Sequence, residues 1–209
     1  MLFAAKSAYT LAEVMCVQKK LLRLELAGML FVVVISVFLQ NLYEISGRMV
    51  VGILFGSVND SIWEIEKTLL LPYFVWMFIE IMCVRVPFRR FVVAKTISLW
   101  CFAFTYSAIC LLFSAFGEKS HMLPEFIAAI ICTVFSFYLS YRLILSEKEL
   151  GSFYYPSFFM LLLFAAFYCS FTPFPPQLSL FQDRATGLYG VIPEKFDIGA
   201  VYLDSIFVV

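Results

Sequence analysis

The sequence predicts an all-α fold, a polytopic membrane helix bundle of five transmembrane helices with a cytoplasmic N-terminus. Composition is the first ground. Of 209 residues, 63% are apolar and 14% charged, against about 45–50% and about 25% in ordinary soluble domains. A soluble chain this small has too much surface to hide so much apolar side chain, so the lipid bilayer is its expected partner. The second ground is that five apolar runs are long enough to cross about 30 Å of hydrocarbon, which takes roughly 17–25 helical residues. The third is charge placement. With five spans and the N-terminus inside, ten of the 15 basic residues fall on the cytoplasmic side, the asymmetry of the positive-inside rule.

Taken in order, residues 1–23 form a cytoplasmic tail or a short helix lying on the membrane, with Lys19, Lys20 and Arg23 toward the headgroups. Lys6 and Glu13 argue against a signal peptide. The transmembrane domain is expected over 24–172, with spans near 24–43, 68–84, 94–116, 124–145 and 153–171. The loop VRVPFRR carries the strongest part of the inside signal. The short run 49–58 has two glycines and is too brief to cross, so it dips into the interface or packs on the bundle. After Phe171, Pro173, Pro175 and Pro176 end the last helix and open an extracytoplasmic tail, 173–209, with a tight turn near Asp183, Thr186 and Gly187.

Several chemistries are disfavoured. Net charge is zero and there is no basic tract with interleaved aromatics, so no nucleic-acid partner is expected. The six cysteines sit mostly in apolar runs without zinc spacing, and the lone histidine, His121, lies in an outer loop. No metal, no cofactor and no catalytic residue is therefore assigned. GxxxG is not found in the spans.

The polar residues that remain gather around the stretch GSVNDSIWEIEK. Ser61 followed by Glu64 fits a capping box at a helix start, and Asp60, Glu64 and Lys67 share one helical face. Tyr43 and Glu44 end the first span on the same outer side. The candidate site is thus a cluster of Tyr43, Glu44, Asn59, Asp60, Glu64 and Lys67 at the outer boundary, with Trp63 as an interfacial lid. Pro72 is expected to kink or loosen the second span. Glu80 lies roughly 20 Å further along that helix than Glu66, at about 1.5 Å per residue. It reads either as a functional intramembrane acid or as a side chain reaching Arg85.

Three separated motifs, LQNLYEISG, GSVNDSIWEIEK and PPQLSLFQDRATGLYG, resemble those of a family of small uncharacterised bacterial integral membrane proteins. The resemblance implies a five-span fold in a bacterial plasma membrane and brings no established activity. It adds a candidate tail motif of Asp183, Thr186, Gly187, Tyr189 and Gly190. It also implies a loss, because the family's two histidines align with Gln40 and Ile65, and neither can titrate or ligate as histidine does. The expected function is a non-enzymatic binding or accessory subunit, or a transporter component, with a possible membrane-protein partner. The alternative is a membrane-embedded enzyme that uses the outer-face carboxylates.

Overall fold

A computed structural model of the chain describes residues 2–115, 122–146 and 149–191. His121 and the stretch 192–209 lie outside the described residues. The architecture is all-helical: α1 (Leu2–Ile45), α2 (Val50–Phe55), α3 (Ile62–Cys83), α4 (Phe88–Ala115), α5 (Met122–Leu145) and α6 (Tyr154–Ser170). Short 3-10 turns occupy Leu150–Phe153 and Ser179–Phe181. Among the described residues the only β pairing is an isolated bridge between Gln182 and Tyr189. α1 passes Arg23 without a break.

Helices α1, α3, α4 and α5 close a four-membered ring: α1 packs on α3 and α5, and α4 on α3 and α5. Tyr73, Phe102 and Phe137 meet edge to face in its centre. α6 lies outside the ring against α4, and α2 against α1. Among the described residues four helices are long and apolar enough to cross a membrane: Met15–Ile45, Phe88–Ala115, Leu123–Leu145 and Leu150–Ser170. α3 is excluded from that set by charge, since any 18-residue stretch of it holds at least three of Glu64, Glu66, Lys67 and Glu80. Yet α3 is a ring member, and its exposed face is Val75, Phe78, Ile79 and Met82. Such contiguous exposed apolar surface is what lipid covers. The chain is a multi-pass membrane protein.

Local chemistry explains the joints. α1 ends at Ile45 because Gly47 takes φ +67°, and the bonds Arg48 N–H to Tyr43 O (2.9 Å) and Gly47 N–H to Glu44 O (3.0 Å) form a Schellman cap. The short run after it becomes α2, packed on the bundle. A Cβ on Gly52 would lie 2.8 Å from Tyr43 Cα, and one on Gly56 would lie 2.9 Å from Tyr43 N. The GILFG pattern, outside the spans, thus lets α2 touch the α1 backbone. α3 begins at Ile62 with Ser61 Oγ accepting from the Glu64 N–H at 3.3 Å. It runs through Pro72 as one continuous element. All six cysteines are free thiols.

Candidate functional site

The start of α3 is a closed polar knot. Lys67 is fully buried and spends its three protons on Glu64 Oε2 (2.7 Å), Thr172 Oγ1 (2.8 Å) and Ile53 O (3.2 Å). Glu64 Oε2 also accepts from the Val58 N–H, and Oε1 from the Thr172 hydroxyl. The reciprocal half of the expected capping box is absent: the Ser61 N–H goes to Asn59 Oδ1 at 2.9 Å instead. Asn59 Nδ2 donates to Gly190 O at 2.8 Å, tying the knot to the tail. The side chains of Asn59, Ser61, Glu64, Lys67 and Thr172 are all buried and hydrogen-bonded within the protein. The arrangement is a staple joining α2, α3 and the chain after α6.

The tail motif has a matching role. Asp183 Oδ2 accepts from both the N–H and the hydroxyl of Thr186, while Oδ1 accepts from the Asp60 N–H at 2.9 Å. Gly187 and Gly190 supply the positive φ that the turn requires. Tyr189 stands opposite Gln182 and is partly exposed. Trp63 is not a lid at the interface. It is buried with its ring against Phe171 and Phe181, 5.2 and 5.5 Å between centroids, because the folded tail covers it.

The side chains of Tyr43, Glu44 and Asp60 stay outside the knot, the buried Tyr43 hydroxyl having no partner among the described residues. Glu44 is exposed and bonds to no described side chain, whereas its neighbour Tyr43 is buried. Successive helical residues point about 100° apart, so burying Tyr43 against α2 turns Glu44 to solvent. Asp60 precedes the helix and its side chain is exposed, so it shares no helical face with Glu64 and Lys67.

Glu80 does not reach Arg85, which is exposed. It is fully buried against Lys95 of α4, with Nζ 2.6 Å from Oε2. The contact is an ion pair, neither Glu80 oxygen accepts a hydrogen bond from a donor among the described residues, and the Glu25 carboxyl lies beside it. Lys95 also donates to Glu25 Oε2 of α1 at 2.8 Å, and Ser140 of α5 donates to Glu25 Oε1 at 2.8 Å. A further buried acid, Glu66, accepts a short hydrogen bond from Ser107.

A cavity of about 470 Å³ opens where α1, α3, α4 and α5 meet the tail turn. Its polar lining is Ser36, Gln40, Ser57, Asp60, Tyr106, Glu125 and Arg184. Arg184 of the tail is ion-paired with Glu125 of α5 across the opening, and its side chain is 28% exposed. Both positions where the resemblance puts histidines, Gln40 and Ile65, line this one space. The open site is therefore beside the knot, not in it. Sequence reasoning passed over Glu125, Arg184 and Tyr106. Arg184 lay inside a quoted motif, and Glu125 follows Pro124 at a helix start, but nothing local joins them.

Neither curated proteins nor solved structures yield a match to the chain. Residues 13–191 match a family of unknown function (DUF6512), and the chain belongs to that family.

Proposed function

We propose that this is a non-enzymatic binding protein or transporter component of a cell membrane, bacterial by the motif resemblance, whose ligand site is the cavity bridged by Arg184 and Glu125. The cavity carries the reading. At about 470 Å³ it has the size of a small-molecule site, and an ion pair at its mouth offers one donor and one acceptor group to a polar or zwitterionic solute. The enzymatic reading has less support. It needs outer-face carboxylates that act together, but Glu44 faces solvent and Glu64 is saturated by Lys67, Val58 and Thr172.

The proposed topology is five spans, N-terminus cytoplasmic and tail extracytoplasmic. Support comes from α3 packing as a ring member with an apolar exposed face. Burial removes Lys95 from the inside count and Lys67 from the outside count, so the basic asymmetry persists. The test is solvent access from the tail side. In a cysteine-free background, Ser36→Cys and Ser57→Cys should both react with a water-soluble, membrane-impermeant thiol reagent. Protection of both in folded protein means the space is closed, and the binding reading fails.

A further inference from the structure

We propose that Glu25, Lys95 and Glu80 form a proton-binding site inside the helix ring, one that takes up a single exchangeable proton. This site is separate from the cavity, since Glu80 lies roughly 22 Å along α3 from Ile65 at about 1.5 Å per residue.

The argument is a charge count in a dry place. Two carboxylates share one ammonium, with Lys95 Nζ 2.8 Å from Glu25 Oε2 and 2.6 Å from Glu80 Oε2. All three side chains are at most 1% exposed. The groups facing the site are known from every ring helix. α1 brings Glu25, α3 brings Glu80 and Tyr73, α4 brings Lys95, and α5 brings the uncharged Ser140. With both acids ionised, the cluster keeps one negative charge that no cation among the described residues answers, and an unpaired charge in such surroundings is costly enough to be neutralised instead. Taking a proton from water leaves one neutral carboxylic acid beside a carboxylate–ammonium pair.

The geometry also says which group protonates. Lys95 stays cationic, because its ammonium lies near the rings of Phe137, Tyr73 and Phe91, 5.1, 5.6 and 5.7 Å from their centroids. Glu25 has a donor on each oxygen, Ser140 on Oε1 and Lys95 on Oε2. Glu80 Oε1 has none. The proton therefore goes to Glu80. A purely structural ion-pair cluster needs no such proton. An acid held inside a membrane bundle is the usual currency of proton-coupled movement.

The experiment is infrared spectroscopy of the full chain in detergent or lipid. The background is Glu66→Gln, because Glu66 is a buried acid outside the triad whose side chain meets the neutral Ser107 hydroxyl. The expected result at neutral pH is a carbonyl-stretch band of one protonated carboxylic acid that shifts in heavy water. Glu80→Gln and Glu25→Gln should each abolish it, since the remaining carboxylate is then matched by Lys95. Lys95→Met should roughly double it, because two carboxylates then lack a cation. No band in the Glu66→Gln protein, or a band undiminished by both glutamine substitutions, overturns the proposal. The first of these measurements needs no substitution within the triad, so it decides even where a triad variant fails to fold.

Discussion

Replacing Lys67 with methionine keeps most of the side-chain volume but removes an ammonium that makes three hydrogen bonds in a fully buried position. Glu64 then keeps the Val58 N–H and the Thr172 hydroxyl but no cation. Breaking a buried pair from one side costs about 3–5 kcal/mol, mostly as the penalty of the stranded charge. Adding Glu64→Gln removes that charge and leaves an amide that still accepts from Val58 or Thr172. The double variant should recover about half the loss or more, which is a coupling of about 2 kcal/mol. Glu44→Gln, on an exposed carboxylate, should stay within about 0.5 kcal/mol of wild type. The assay is reversible unfolding of the full chain in mixed micelles, run as a double-mutant cycle. A Lys67→Met protein within about 1 kcal/mol of wild type, or strict additivity with Glu64→Gln, would refute the staple.

Three further outcomes are expected. Asp183→Ala removes the acceptor for Asp60 and Thr186, so limited proteolysis should cut the tail several-fold faster while the ring stays intact. Gly28→Ala puts a Cβ 2.4 Å from Trp76 Nε1 and 2.5 Å from Phe137 Cε1. It should destabilise by about 1–3 kcal/mol, with part of the loss restored by shortening Trp76 to leucine, as melting of both proteins would show. For topology, in intact cells and a cysteine-free background, an impermeant reagent should label Leu188→Cys and spare Phe88→Cys. The reverse pattern would invert the proposed orientation.

What the sequence made legible was local. Ser61 and Glu64 are three residues apart, and the cap they form depends on backbone geometry alone. The turn at Asp183, Thr186 and Gly187 is legible for the same reason. Glu44 was misplaced by one residue of helical phase, a matter settled by what α2 covers rather than by the pattern of α1. The ion pairs were beyond reach because their partners are far apart in the chain. Lys95 and Glu25 are 70 residues apart, and Arg184 and Glu125 sit on the tail and α5. Glu25 and Lys95 each lie one residue inside the expected edge of a span, where a charge reads as a boundary marker. Only packing makes them interior.

α3 carries the general point about the proposed fifth span. Counted singly, its four charged residues would cost about 10–14 kcal/mol at the middle of a bilayer, at about 2.5–3.5 kcal/mol each. That number of charges is what leaves it out of the spanning set. In the folded ring none of the four meets lipid. Glu64 and Lys67 neutralise each other, Glu66 takes the Ser107 hydroxyl of α4, and Glu80 takes Lys95 of the same helix. The residues that do face outward, Val75, Phe78, Ile79 and Met82, are as apolar as any on the chain. α3 is thus apolar only in company. Its partners on α4 and the tail follow it in sequence, so on the proposed five-span topology its stable insertion waits for chain synthesised after it. The helix that is least membrane-like by composition is the one whose place depends most on the rest of the fold.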